Sequence, residues 1–101
     1  MSKYRQIFEY SRPGYLKDLS VNRKCEQGLL TVWLQVLDGE LVKSIELSGF
    51  EELADAISPI LIADRVIISE ELGTQKEFGS IRIECWADTD YSEFWCDSAA
   101  V

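Results

Sequence analysis

The feature of this sequence that most constrains the fold is a pair of apolar runs separated by Asp38-Gly39. Residues 30–37 and 40–47 carry enough alternating apolar and β-branched side chains to form two strands. An Asp-Gly pair tolerates the positive φ angles of a type I′ turn, which joins adjacent antiparallel strands. The sequence therefore predicts a β-hairpin with a two-residue loop.

The short loop also predicts which hairpin residues face one another. We expect Leu37 opposite Glu40 and Val32 opposite Ile45. This register gathers the aliphatic side chains on one face and leaves Trp33 on the other. The aliphatic face is the predicted core side of the hairpin.

The segment after the hairpin has the pattern of a helix. Ser48 and Glu51 have the spacing of a capping box. Pro59 is expected to end or bend the helix after Ser58, because its ring blocks the preceding turn. An apolar stripe at helical spacing is expected to pack on the aliphatic face of the hairpin: Phe50, Leu53, Ala54 and Ile57.

Four further segments, 4–10, 65–69, 81–88 and 91–96, are predicted to be strands. In the first of them, Tyr4, Phe8 and Tyr10 are expected on one side. In the third, the alternation points Ile81, Ile83, Cys85 and Ala87 inward. In the last, Phe94 and Cys96 are expected to point inward, with Tyr91, Glu93 and Trp95 outward.

Three segments have weaker patterns. Residues 11–28 fit either a short helical turn or a loop against the sheet, residues 70–78 a loop or ragged hairpin end, and residues 97–101 a frayed tail. The predicted fold is one α+β domain over residues 1–101. It is a two-layer arrangement, with an antiparallel sheet of about five strands, in the order β-β-β-α-β-β-β along the chain, and one helix on one face.

Composition favours a soluble cytoplasmic protein without a membrane partner. No apolar run approaches the roughly 20 residues that span a bilayer, and the first residues lack the apolar core of a secretory signal. The three cysteines are an odd number without paired short spacing, which is typical of reduced thiols that serve in packing.

Charge is distributed unevenly along the chain. Residues 1–24 carry six basic and two acidic side chains, a balance of +4, and the remainder carries four basic and sixteen acidic ones, a balance of −12. Because phosphates require positive charge, direct nucleic-acid binding is not expected. A protein with a basic surface is the expected partner.

No pattern for catalysis, metal or cofactor binding emerges. The chain has no histidine, which removes the commonest general base and most metal sites. Asp88 and Asp90 have the spacing of a cation-binding pair, but aspartate is also a favoured turn residue. Cys25 has basic neighbours and no nameable base partner. We therefore expect a protein that is not an enzyme and has no cofactor.

The aromatic residues supply the candidate site. If the aliphatic alternation marks the inner face, the three tryptophans fall on the opposite, acidic face. Large aromatics and carboxylates together are typical of a surface that binds a basic protein. The predicted partner-binding residues are Trp33, Glu46, Glu84, Trp86, Asp88, Asp90, Tyr91, Glu93 and Trp95. Two alternatives remain: residues 11–28 or the first strand cover these rings, or a homodimer does.

In size, charge and lack of catalytic motifs, the chain resembles small acidic inhibitors of bacteria and phages, such as anti-CRISPR and toxin-immunity proteins. The resemblance implies an inhibitor that partly mimics nucleic acid and occupies the basic, nucleic-acid-binding surface of a nuclease, toxin or other effector. The alternative function is a homodimeric structural or accessory subunit without an inhibitory role.

Overall fold

A computed structural model describes residues 4–23, 25–72 and 80–101 of the chain. These residues contain eight strands and one helix. In chain order the elements are β1 (Tyr4–Ser11), β2 (Tyr15–Arg23), β3 (Leu30–Asp38), β4 (Leu41–Ser48), α1 (Leu53–Ile62), β5 (Arg65–Glu71), β6 (Ile81–Ala87), β7 (Asp90–Cys96) and β8 (Ser98–Ala100).

The strands form two antiparallel sheets. The first sheet has the order β1-β5-β6-β7, and the second has the order β2-β3-β4-β8. The predicted α+β class is confirmed, but the expected number of about five strands is too low. Beyond the six predicted strand segments, the two additional strands are β2 and β8. They are sheet edges formed by segments whose sequence patterns are weak, because an edge strand buries little of its surface.

A single apolar core lies between the two sheets. Successive side chains of a strand point to opposite faces, so every second residue of the central strands is buried. The helix adds two fully buried side chains to the same cluster. The core residues are Phe8, Tyr10, Val32, Leu34, Val36, Ile45, Leu47, Ala56, Ile60, Val66, Ile68, Ile81, Ile83, Cys85 and Cys96.

The register of the central hairpin differs by two residues from the prediction. Leu37 pairs with Val42 rather than with Glu40, and the loop consists of Gly39 and Glu40. Positive φ in this loop is confined to Gly39, at 65°, which is the pattern of a type II′ turn and not of type I′. A shift of two residues preserves the alternation of side chains, so the predicted inner face is correct in the middle of the hairpin. At its ends Leu30 and Leu41 are exposed, and Thr31, expected on the outer face, is buried.

The predicted capping box is wrong. Ser48 belongs to β4, and its hydroxyl lies 2.6 Å from the hydroxyl of Ser98 in the neighbouring strand β8. The helix begins at Leu53, and its N-cap residue, Glu52, makes no side-chain capping hydrogen bond. Ser48, which the local pattern assigned to the helix, therefore pairs with β8 as a strand residue at the end of the second sheet.

The helix also runs through Pro59 to Ile62. Its fully buried residues are Ala56 and Ile60, and the predicted stripe residues Phe50, Leu53 and Ile57 pack against the same core, whereas Ala54 is exposed. The closest strand is β6 of the first sheet rather than the hairpin. Packing of this stripe into the core outweighs the local cost of the proline, which removes one hydrogen bond from the helix.

The first strand contains a β-bulge between Gln6 and Phe8. An extra residue in one strand reverses the alternation on its far side. Phe8 and Tyr10 are buried in the core, whereas Tyr4 lies on the outer face of the first sheet, where its ring contacts Arg82. The prediction that Tyr4 shares a side with Phe8 and Tyr10 is therefore wrong.

The segments with weak sequence patterns have different outcomes. Within 11–28, residues 15–23 form β2, the outer strand of the second sheet. Residues 98–100, expected to be frayed, pair with β4. Glu70 and Glu71 continue β5 and Leu72 follows the strand, while residues 73–78 of the predicted loop lie outside the described residues.

Candidate protein-binding surface

The outer face of the first sheet carries most of the predicted contact residues in three rows that cross the strands. The register places Arg65, Trp86 and Tyr91 in the first row. The Arg65 guanidinium lies 5.1 Å from the centre of the Trp86 ring system. The rings of Trp86 and Tyr91 are 5.1 Å apart with an interplanar angle of 53°. The indole is thus packed between its two cross-strand neighbours.

The second row places two carboxylates directly opposite each other. Glu84 pairs with Glu93, which is unfavourable for two negative charges unless other groups stabilise them. The Tyr91 hydroxyl lies 2.7 Å from Glu84 and 2.9 Å from Glu93 and can donate its one proton to either. Partial burial, and then these hydrogen bonds, raise the pKa of Tyr91. The phenol is therefore held in its neutral, donating form.

The third row supplies the positive charge for these carboxylates. Arg82, which pairs with Trp95 across β6 and β7, lies 3.1 Å from Glu84 and 3.9 Å from Glu93. Its guanidinium stacks at 3.8 Å from the centre of the Tyr4 ring. Two of the predicted contact carboxylates are therefore already bound within the protein, which leaves them less charge to offer a partner.

Asp88 and Asp90 lie at one end of this face, in and beside the turn between β6 and β7. Asp88 has a φ of 55°, and its amide donates to Asp64 at 3.3 Å. Asp64 in turn pairs with Arg12 at 2.6 Å. The part of the chain that the structure describes contains no group of three or more acidic, cysteine or histidine side chains placed to hold a metal ion.

Trp33 and Glu46 do not share the face of the other predicted contact residues. They face each other across β3 and β4, on the outer side of the second sheet. Because the two sheets enclose the core between them, their outer faces point in different directions. The prediction that all three tryptophans lie on one face is wrong for Trp33, since a pattern within one strand does not reveal which sheet the strand joins.

The strand pairing does not support the alternative in which residues 11–28 or the first strand cover these rings. Residues 15–23 extend the second sheet sideways beside β3 and do not lie across the aromatic face. Arg5 and Arg12 of the basic segment do pair with later carboxylates, Glu70 and Asp64, at 2.6 Å each. Neither of these carboxylates is a predicted contact residue.

Sequence reasoning missed an acidic groove beside β7. The groove has a volume of ≈ 500 Å³ and lies between β7 and the connection from β4 to α1. Five of its lining residues are acidic, three are aromatic and none is basic. They are Gly49, Phe50, Glu51, Glu52, Asp55, Glu93, Phe94, Trp95 and Asp97.

The acidic residues of the groove are visible in the sequence, but a local pattern explains most of them in another way. Glu51, Glu52 and Asp55 fit the acidic first turn of a helix, where the helix dipole favours negative charge. Only Asp55 lies in the first turn of α1. Residues 51 and 52 precede the helix and stand across the groove from Asp97, which is distant in sequence.

The thiols show no sign of a nucleophilic site. Cys85 and Cys96 are buried and unbridged, and Cys25 is exposed. Burial is the main cause that raises the pKa of Cys85 to about 12, with a smaller contribution from the charge of Glu84. Burial likewise raises the pKa of Cys96 to about 12. At neutral pH both groups are protonated and serve in packing.

Comparisons of the chain with protein-family models, with curated proteins and with solved structures find no significant match. Among the described residues, no helix is both long enough and apolar enough to cross a membrane. The geometry and charge of the surface are therefore the basis for inferring its function.

Proposed function

We propose that this protein is a non-catalytic inhibitor that binds a basic, nucleic-acid-binding surface of another protein. The observation that carries the proposal is the acidic groove, which five carboxylates line without a basic side chain. Such a concentration of one charge attracts a surface of the opposite charge and accelerates its association. It repels nucleic acid, with which the inhibitor would compete for the target.

The ion pairs between described residues leave most carboxylates of the groove uncompensated. Four arginines are paired with carboxylates on the first sheet or in the turns at its end. Within the described residues, no ion pair involves Glu51, Glu52, Asp55 or Asp97. These exposed carboxylates are therefore available to a partner.

Aromatic side chains beside the groove supply contact area. Phe94 and Trp95 line it, and Tyr91, which is 49% exposed, lies on the same edge strand. Aromatic residues commonly provide most of the binding energy at the centre of an interface. A standard interface buries ~800 Å² on each partner, which is a modest share of the 6570 Å² surface of this chain.

The proposal is tested by capture of partners from a lysate of the source cells, with a charge-reversal variant and a matched control. Glu51→Lys/Asp55→Lys reverses two charges at the groove. Asp18→Lys/Glu40→Lys reverses two on the second sheet and its hairpin loop, so both variants have the same net charge. We expect the groove variant to lose the partner and the control to retain it.

The captured protein must then be tested for competition. We expect it to bind nucleic acid when alone and to release nucleic acid when this chain is added. A complex that contains nucleic acid and this chain together would contradict the inhibitory function. Equal loss of capture in both variants would show that net charge, rather than the groove, governs binding.

A homodimeric accessory subunit is the second candidate, because the outer strand of the second sheet is well exposed. On β2, Tyr15 is 54% exposed and Val21 is 42% exposed. Sedimentation of the pure protein distinguishes the two functions. A tight dimer that dissociates on Val21→Lys substitution would support the subunit, and a monomer at all accessible concentrations would exclude it.

A further inference from the structure

The two sheets have four edge strands, and three of them are protected against pairing with another chain. Unpaired N–H and C=O groups at a sheet edge bind added strands unless a bulge, a charge or a short length prevents it. The edge strands are β1 and β7 in the first sheet, and β2 and β8 in the second. The differences in protection leave one edge able to pair with an added strand.

The edge at β1 is blocked by two devices. The bulge between Gln6 and Phe8 disturbs the spacing of its backbone groups. The ammonium of Lys43 reaches across from β4 and donates to the carbonyl of Glu9 at 2.6 Å, which occupies an acceptor on this strand.

The edges of the second sheet are also protected. β2 has a register shift between Leu16 and Asp18, so its backbone groups are not evenly spaced. β8 has only three residues, Ser98–Ala100. Neither edge presents a long regular ladder to a partner.

The edge at β7 has no bulge and is not short, and its charged side chains, Asp90 and Glu93, are acidic. Its seven residues pair with β6 in one unbroken register, from Asp90 opposite Ala87 to Cys96 opposite Ile81. Within the described residues β7 pairs with no other strand. In an antiparallel pair, alternate residues direct their N–H and C=O groups away from the partner strand. At alternate residues β7 therefore directs its backbone donors and acceptors away from β6.

The open side of β7 faces the acidic groove. The groove is lined by Glu93, which points outward from the sheet, and by its neighbour Phe94, which points inward. The groove therefore lies at the side of the strand rather than over one face. Gly49 and Asp97 lie close together in the lining of the groove, where a Cβ on Gly49 would be 2.6 Å from the Asp97 side chain. An added strand would thus lie between β7 and the carboxylates that precede α1.

We propose that β7 accepts an extended segment of the partner, with lysine or arginine at alternate positions, as a fifth strand of the first sheet. The backbone of the segment pairs with β7, and its basic side chains contact Glu51, Glu52 and Asp55 across the groove. Charge complementarity selects this occupant, since the groove carries acidic groups and no basic one. The inference rests on the proposed function and specifies how the partner is held.

The test uses the whole protein and a synthetic seven-residue peptide that alternates lysine and valine. Binding is measured by calorimetry, and amide hydrogen exchange of β7 is followed by NMR. We expect binding that weakens with salt, and slower exchange at alternate β7 amides. A peptide with N-methyl groups on one backbone edge should bind about tenfold more weakly, because it lacks the donors for strand pairing.

Two protein variants locate the basic side chains. Glu51→Gln/Asp55→Asn neutralises the groove without changing side-chain size, and it should weaken peptide binding severalfold. Asp18→Asn/Glu40→Gln makes the same change in net charge on the second sheet, and it should alter the affinity by less than about twofold. All four positions are exposed, so both variants are expected to fold.

Three results would overturn strand addition: no binding at ~1 mM peptide, equal affinity for the N-methylated peptide, or protection of amides outside β7. The capture experiment above distinguishes failure of strand addition from failure of the proposed inhibitory function. If the captured partner still depends on Glu51 and Asp55 while β7 exchange is unchanged, the inhibitor proposal stands and strand addition is wrong. If capture does not depend on these residues, the proposed function itself fails.

Discussion

The two sheets of this protein are alike on their inner faces and different on their outer faces. Val32 and Leu34 of β3 are buried by the same alternation that buries Ile81 and Ile83 of β6. Outside, the ion pairs seen between described residues belong to the first sheet and the turns at its ends. The comparison shows that strand periodicity builds a common core, whereas the charged and aromatic partners of each outer face are set by which strands become neighbours.

The largest expected effect tests whether the inner faces form one cooperative core. Leu34→Ala in the second sheet and Ile83→Ala in the first each empty a fully buried site, and each should lower the free energy of unfolding by about 2–5 kcal/mol. Urea unfolding followed by fluorescence and circular dichroism is the measurement. Val42→Ala, at an exposed position, is the control and should change stability by ~0.5 kcal/mol or less. Two separate unfolding transitions would show that the sheets are independent.

A smaller effect tests the charge cluster on the outer face of the first sheet, formed by Arg82, Glu84 and Glu93. Arg82→Gln removes the positive charge between Glu84 and Glu93 and should cost about 1–3 kcal/mol, because two facing carboxylates lose their partner. A second change, Glu93→Gln, should recover part of this loss. Arg5→Gln breaks a more exposed pair with Glu70 and should cost ~0–1 kcal/mol. Equal costs for the two arginines would mean that this charge cluster contributes no more to stability than an exposed ion pair.

The buried thiols give a measure of how dry the inner face of the first sheet is. Cys25 is exposed, whereas burial raises the pKa of Cys85 and of Cys96 from 9.0 to about 12. A thiol reagent at pH 8 should modify one cysteine quickly and the other two only on unfolding. Rapid modification of all three in the native protein would contradict the burial of these side chains.

The same shifts determine the pH dependence of stability. Because the pKa of each buried thiol is raised in the folded state, the unfolded chain loses these protons first as pH increases. The resulting stabilisation is fully present below pH 9.0 and is lost progressively as pH rises towards about 12. Urea unfolding across this range should show the decline, and a Cys85→Ala/Cys96→Ala variant should show a weaker one.

The smallest expected effect tests the difference between the two outer faces directly. Trp33→Phe should leave capture of the partner unchanged within about twofold, because Trp33 lies on the second sheet. Trp86→Phe, on the sheet that contains β7, should weaken capture severalfold. If both changes weaken capture equally, the partner contacts both faces or the groove is not the centre of the interface.

The sequence predicts much of this fold because strand patterns are local. The alternation in β3, β4 and β6 correctly indicates the buried residues except near the ends of the hairpin strands, and Asp38-Gly39 correctly indicates a tight hairpin. The same local reasoning fails where a distant segment competes for a residue. Ser48 fits a helix cap in the sequence, but β8 takes it as a strand residue.

The candidate site shows the same division. Glu84, Trp86, Tyr91, Glu93 and Trp95 are predicted together and lie together, because they belong to a single hairpin with an unbroken register. The groove was not predicted, since its two sides come from segments that are far apart in the chain.

By itself, the sequence determined the α+β class, the inner face of each central strand and an acidic surface, because side-chain period and charge are properties of neighbouring residues. Only the tertiary structure decided that the strands divide between two sheets, that Trp33 is separated from Trp86, and that β7 is left open beside an acidic groove. These features depend on which strands pair. That choice results from the packing of the whole core rather than from any one segment.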